Sequence, residues 1–346
     1  MNNLQYTIAT VAKARAIYGK GLKESDYKEL VTKQKISDVA AFLQQKSNYE
    51  IALSKVDSKT IHRGQLENVL RKDIFYKYIR LCKFNQLDRI DFFNYFVHRL
   101  EIDEILSCIS FLNADKSDQI IFSLPTYLEE HFSYNLMDLA SVRDYDQLLK
   151  VIKHTMYYST LCNIKPDENG LINYTKVESL LRTQHFSWMI KAIDKDFNGD
   201  TAVTLKKILL NNIELINIVN AFREIVFFKK DPSLIQENLL PFKGKLTKNT
   251  LNALLNSKTS EDFLRIFRQT SYASRLSEIK EKDFDRIVKQ IRYNYTKAAL
   301  KTSQSAPVAL FSLMLLLDIE LNNIICIIEG IRYKTPSTYI ENILII

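Results

Sequence analysis

Apolar residues recur along this chain at i, i+3, i+4 spacing and nowhere form a convincing alternating run, so the pattern predicts helices rather than strands. The clearest stripe joins Leu66, Val69 and Leu70 and closes with Phe75. It returns as Val177, Leu180 and Leu181 closing with Phe186, and again as Phe284, Ile287 and Val288 closing with Tyr293. A second stripe, headed by Glu101, carries Ile102, Ile105, Leu106 and Ile109. Its copies follow Glu214 (Leu215, Ile218, Val219, Phe222) and Glu320 (Leu321, Ile324, Ile325, Ile328). Upstream, Tyr49 and Leu53 repeat as Tyr157 and Leu161, then as Tyr272 and Leu276. The separations from Leu66 to Glu101, Val177 to Glu214 and Phe284 to Glu320 are 35, 37 and 36 residues. Such constant spacing marks three similar units, expected over residues 1–120, 121–231 and 232–346. The repeat is too long for a solenoid, whose units span about 20–50 residues. The expectation is an all-α fold of three similar helical units in a rounded body with pseudo-three-fold symmetry.

The same pattern places local features. A first helix is expected over Tyr6 to Tyr18, with Gly19 and Gly21 loosening the chain after it. Asp26 is the expected N-cap of the helix carrying Leu30 and Val31, and Ser37 that of the helix carrying Val39 to Leu43. Residues 148–152 and 263–267 are the counterparts of that second helix. Acidic and basic residues four apart at 67/71, 178/182 and 285/289 are expected to pair along the helix. Loops are expected where polar and breaker residues cluster, at 113–117, 165–170, 194–200, 230–232, 243–245 and 302–307.

Composition sharpens this. The 346 residues include 7 Gly and 6 Pro, against about 24 and 17 at ordinary usage. Tight turns are therefore few. Net charge is +8 with acidic and basic residues interspersed, which reads as a solvated helical surface rather than a nucleic-acid footprint. Cys82, Cys108, Cys162 and Cys326 form no C-x-x-C pair and fit a reducing cytoplasm. The opening Met1 to Tyr6 lacks the basic-then-apolar layout of a signal peptide. The most apolar stretch, Ala306 to Leu317, is 12 residues long, short of the roughly 20 that a membrane span needs.

Candidate chemistry is sparse. Asp194, Asp196, Asn198 and Gly199 match the first half of a calcium loop, but Leu205 stands where the bidentate Glu is needed, so the expected form is an Asx-rich surface turn. His62, His98, His131, His154 and His185 show no metal-ligand spacing, and neither a G-x-S-x-G nor a phosphate-loop motif occurs. Trp188 beside Phe186 reads as core. Glu101, Glu214 and Glu320 can be drawn as a three-fold ligand ring, but their helical setting favours helix-start or inter-helix hydrogen bonding. No residue is assigned a catalytic, cofactor or metal role.

Several segments in order resemble one family. These are Tyr6-Thr7-Ile8-Ala9-Thr10-Val11-Ala12-Lys13-Ala14-Arg15-Ala16, Tyr27-Lys28-Glu29-Leu30, His62-Arg63-Gly64-Gln65-Leu66-Glu67 with Leu70-Arg71, and Glu320-Leu321-Asn322-Asn323-Ile324 with Glu329-Gly330-Ile331-Arg332-Tyr333 and Pro336. They resemble the central-stalk subunit of rotary V-type ATPases, lettered C in archaeal and bacterial V/A-type ATP synthases and d in eukaryotes. Lys334-Thr335-Pro336-Ser337 stands where that family would have a more apolar turn. The resemblance implies a funnel-shaped, non-catalytic socket of three helical units. Its implied partners are the central shaft subunits of the soluble ATPase head and the membrane-embedded rotor ring. It implies a cytoplasmic, peripheral location without membrane insertion or nucleic acid. Lys13 and Arg15 on the first helix are the expected partner contacts. The competing class is a helical interaction scaffold outside any rotary motor, which gene neighbourhood would separate.

Overall fold

The structure, a computed structural model, describes residues 2–274, 276 and 279–346, with the side chains of 2–4 and 46 left aside. Met1, at the head of the stretch that lacks a signal-peptide layout, lies outside the described residues. Among the described residues 72% are helical and none is in a strand.

Among the helices of the described residues, eleven are numbered in chain order: α1 Asn2–Gly19, α2 Glu24–Leu30, α3 Ile36–Lys46, α4 Arg63–Phe84, α5 Tyr95–Asn113, α6 Tyr145–Val151, α7 Tyr174–Asp196, α8 Gly199–Val226, α9 Ser260–Arg268, α10 Phe284–Thr302 and α11 Ala306–Arg332. The sequence repeat is visible in their register. Leu66, Val177 and Phe284 are each fully buried. Each is also the fourth residue of its helical run, counting the 3-10 turn Glu281–Asp283 that leads into α10. The helices that carry the second stripe, α5, α8 and α11, all stop at a residue in the left-handed region: Asp115 (φ 53°), Lys229 (φ 52°) and Lys334 (φ 54°). An amide just beyond each returns to the helix, Lys116 to Phe111, Lys230 to Glu224 and Thr335 to Gly330. These bonds satisfy carbonyls that the helix end would otherwise orphan.

The chain divides into two compact units. The smaller comprises Arg89–Phe197 and Ser233–Phe242. Its core joins Ile102, Ile105, Leu106 and Ile109 of α5 to Leu148 of α6 and to Val177 and Leu181 of α7. The larger comprises Met1–Asp88, Asn198–Pro232 and Lys243–Ile346. There α8 packs on α9 and α10, while α11 packs on α10, α1, α3 and α4. A common rule underlies both: the helix bearing the second stripe packs into the core of the next repeat along the chain, and α11 of the last repeat packs into the first. The larger unit also holds an aromatic cluster. Phe222 of α8 meets Phe284 of α10 at 4.3 Å between centroids and Phe263 of α9 at 5.2 Å, and Phe267 meets Phe284 at 5.1 Å. Each such pair contributes about 0.5–1.5 kcal/mol beyond area burial.

Several local expectations are corrected. The first helix runs longer, from Asn2 to Gly19. Asp26 is not an N-cap. It sits in the first turn of α2 and accepts a hydrogen bond from the Lys23 amide at 2.8 Å. Ser37 likewise lies inside α3, whose N-cap position is Lys35. The equivalent positions in the other repeats, Asp144 and Thr259, do cap, accepting from the amides of Gln147 and Asp262. Of the three expected helical pairs, Glu178–Arg182 stands at 3.8 Å. Glu67 pairs instead with Arg63, and Asp285 with Arg223. The apolar stretch at Ala306 continues through Asp318 and Glu320 as a single 27-residue helix, long and apolar enough by length and composition to cross a membrane. Most of its apolar window, 61%, is buried against the other helices of its own unit, as in a core helix.

Candidate functional site

The recurrent glutamates are internal to the fold. Glu101, Glu214 and Glu320 are 1%, 5% and 9% exposed, and each sits well inside its helix rather than at a start. A buried carboxylate is costly unless hydrogen-bonded, and each is met by the opening loop and the tyrosine of the next repeat. Glu101 accepts from the Ser133 amide and from the Tyr157 hydroxyl at 2.5 Å. The Tyr134 hydroxyl donates to the Glu101 carbonyl at 2.8 Å. Glu214 accepts from the amides of Gly244 (3.1 Å), Lys245 (2.7 Å) and Leu246 (3.1 Å), and from the Tyr272 hydroxyl at 2.7 Å. Glu320 accepts from the Leu22 amide at 2.8 Å. The Tyr49 hydroxyl faces Glu320 but closes no well-formed bond with it. The sequence favours helix-start or inter-helix hydrogen bonding for these residues, and none of the three stands at a helix start. The observed partners are loop amides and tyrosines, so each glutamate joins one repeat to the next.

The joints also explain two glycines. A Cβ on Gly244 would lie 2.5 Å from Glu214 Oε2, and one on Gly21 would lie 2.6 Å from Glu320 Oε2. The carboxylate needs the loop backbone so close that no side chain fits. Sequence reasoning treated these glycines as loop markers only. Their spacing was the signal that could have found them, since both precede their tyrosine by 28 residues.

The three joints are not equally saturated. Burial pushes the Glu320 carboxyl up from the ordinary range, partly offset by the Leu22 amide, Tyr49 and Lys77. Burial, and then the facing carboxylate, also push the Tyr49, Tyr157 and Tyr272 hydroxyls up, so all three remain protonated donors. Beside Glu320 a cavity of about 420 Å³ opens, lined by Tyr18, Gly21, Tyr27, Tyr293 and Lys297 among others. The Tyr18 and Tyr293 hydroxyls meet there at 2.9 Å.

The remaining candidates are dispersed. Lys13 is exposed on α1, with its ammonium 5.1 Å over the Phe84 ring. Arg15 is half-buried and donates from Nε to the Leu300 carbonyl at 3.0 Å and from Nη2 to the Ser303 carbonyl at 2.8 Å. Its guanidinium thus caps the C-terminus of α10, where a cation is favourable. The Asp194–Asp200 stretch is not an Asx-rich turn. Asp194 to Asp196 complete the last turn of α7, and Gly199 (φ 54°) already opens α8. Asp196 accepts from the Phe92 amide at 2.9 Å, and Lys195 pairs with Asp91. Trp188 is half-buried between two histidines, its ring 4.3 Å from His98 and 6.3 Å from His185. Burial, with His98, Arg182 and Arg99 nearby, pushes His185 down to about 3. Among the described residues no group of His, Cys, Asp or Glu is arranged to hold a metal ion.

The distinctive polar groups of this chain are spent inside the fold, tying successive repeats together, and that defines a helical scaffold. Comparison with known families makes the class particular. Residues 10–343 match the model of the ATP synthase (C/AC39) subunit family, and the chain belongs to that family, whose members are subunits of V-type ATP synthases. No curated protein matches the sequence.

Proposed function

We propose that this chain is the non-catalytic central-stalk subunit of a rotary V-type ATPase or ATP synthase. In this reading it is a socket that couples the shaft of the soluble head to the membrane rotor ring for ATP-linked proton or sodium transport. The family match over nearly the whole length carries the proposal. The internal joints support it, because an element that transmits torque needs repeats that cannot slide past one another. Rigid, charge-assisted hydrogen bonds between buried groups supply that resistance. Three similar repeats, 1–120, 121–231 and 232–346, around one axis are the arrangement proposed for seating on a ring. The subunit is proposed to be cytoplasmic and peripheral, held at the membrane through its protein partners, with α11 as a core helix rather than a span. Lys13 and Arg15 are proposed as the partner contacts on α1, Lys13 from the exposed face and Arg15 beside it, where its guanidinium also holds that helix to α10.

The test is ATP-driven ion transport in vesicles reconstituted with and without this chain. The expected result is loss of pumping without it, while the soluble head still hydrolyses ATP. Normal pumping in its absence would overturn the proposal. Loss of the head's own hydrolysis would point to a catalytic or regulatory role instead.

A further inference from the structure

Two helix ends of the larger unit display largely exposed aromatic side chains, of which Phe227 keeps an edge contact with Phe222 at 6.4 Å between centroids. α8 ends in Phe227 and Phe228, 64% and 68% exposed, followed by Lys229 and Lys230. α11 ends in Arg332 and Tyr333, the tyrosine 68% exposed, followed by Lys334, and Tyr339 beyond it is 62% exposed. Both ends are fixed rather than frayed. Lys229 and Lys334 hold the left-handed stop, the Lys230 amide returns to the Glu224 carbonyl at 3.2 Å, and the Thr335 amide returns to Gly330 at 2.8 Å. The stop itself does not require an aromatic. In the smaller unit the corresponding end of α5 reads Ala114-Asp115-Lys116, with the same left-handed residue and no ring.

The two ends lie at the same end of their unit. α8 and α11 begin side by side, where the Thr201 and Ser305 hydroxyls are 3.0 Å apart. α10 turns back onto α11 through Ser303–Ser305 and packs against both helices. In its first turn Asp285 pairs with Arg223 from the last turn of α8, and farther along Lys289 faces Cys326 near the end of α11. The helices are 28 and 27 residues long, so each spans about 40 Å at 1.5 Å per residue. The aromatic tips therefore flank the start of α10 together.

We propose that this end of the larger unit rests on an anionic lipid surface. Phe227, Phe228 and Tyr333 enter the headgroup layer, and Lys229, Arg332 and Lys334 contact lipid phosphates. Rings at the headgroup level with bases beside them are the pattern that interfacial binding uses. The form of the patch favours lipid over a protein partner. The rings follow two different helices, α8 and α11, and each set has its own bases next to it in the chain. A deformable surface accepts such tips independently. Asp231, Glu281 and Asp283 share this end with Lys280 and Lys282, so the specificity lies in the rings with their adjacent bases, not in net charge alone.

This inference goes beyond the coupling role, and its test is separate from ion transport. The full-length protein is floated with phosphatidylcholine vesicles and with vesicles in which part of that lipid is replaced by phosphatidylglycerol. Binding to the anionic vesicles alone is expected. The triple variant Phe227→Ser, Phe228→Ser, Tyr333→Ser keeps every charge and should bind at least about tenfold more weakly. The double variant Phe228→Ser, Tyr333→Ser, which leaves the Phe227 contact with Phe222 in place, should weaken binding with the unfolding midpoint unchanged. Lys229→Gln with Lys334→Gln should also weaken binding. Wild-type protein that ignores anionic vesicles would overturn the proposal. So would a triple variant that binds like wild type, since capture would then reflect only the protein's overall positive charge.

Discussion

At the scale of single residues, the joints make sharp demands. Gly244→Ala forces a methyl to within 2.5 Å of the Glu214 carboxylate and 2.9 Å of its Cβ. The cost expected for such overpacking is about 1–3 kcal/mol, read as a lower urea midpoint. Gly64→Ala is the matched control, because nothing lies within 4 Å of its added Cβ. In the first turn of α4 that change should be neutral or stabilise by up to about 1 kcal/mol. Equal losses at both positions would remove the carboxylate as the cause. The tyrosines should differ in the same way. Tyr272→Phe removes a well-formed bond to a buried carboxylate and should cost about 1.5–3 kcal/mol. Tyr49→Phe removes a hydroxyl that closes no such bond with Glu320 and should cost clearly less. The glutamates and tyrosines were legible as repeats, and the helical setting of the glutamates pointed to hydrogen bonding at a helix start or between helices, without deciding which. Their partners were not legible, because backbone amides carry no side-chain signature and the loops that supply them lie far from the glutamates in sequence.

At the scale of elements, the helices followed from periodicity, while their ends followed only partly. Asp144 and Thr259 cap as their residue types favour, but the first repeat has Lys35 at that place. A search for the nearest polar residue therefore lands on Ser37, two positions inside the helix. The calcium-like stretch misled for a related reason. Asp194 and Asp196 belong to the last turn of a long helix, whose register was fixed by the apolar stripe upstream and not by local turn chemistry. Within α7 the same register buries His185 against Trp188, and this gives a pH dependence. Its imidazole titrates near 3 when folded, against an ordinary value of 6.5. The unfolded chain therefore takes up the proton first, so stability is fully present above about 6.5 and falls as pH drops toward 3. The slope is up to about 1.4 kcal/mol per pH unit, which makes the loss by pH 5 about 2 kcal/mol. His98, whose burial lowers it too, adds to the effect. Urea unfolding followed by Trp188 emission should show this acid sensitivity in the wild type and a reduced one in His185→Gln. Equal sensitivity in both would mean that His185 is not the group that takes up the proton.

At the scale of the whole molecule, sequence repeat and folding unit are offset by one helix. The repeat restarts near residue 121 as read from its motifs, yet the smaller compact unit begins at Arg89 and takes in α5. The physical reason is the stripe on α5, whose Ile102, Ile105, Leu106 and Ile109 are all buried among side chains of the following repeat. The Glu101 joint points the same way. A pattern of apolar positions reveals that a face is buried but not what buries it, so this offset could not be read from the chain. It has a direct consequence for dissection. A fragment of residues 89–197 retains α5, the Glu101 joint and nearly all of the core of its unit. It should fold alone and unfold cooperatively, at a length usual for an independent domain of about 100–150 residues. A fragment of residues 121–231, cut at the repeat borders, carries α8 without the partners α9 and α10 and lacks α5 altogether. The apolar stripe of α5 is then missing from the core built on α6 and α7, and the hydroxyl of Tyr157 has lost its carboxylate. That fragment should show helical circular dichroism at most, with no sharp urea transition and with its apolar surface open to aggregation. A cooperative transition in the 121–231 fragment, together with none in 89–197, would place the folding unit on the sequence repeat and reduce the forward packing of α5 to a contact made after folding.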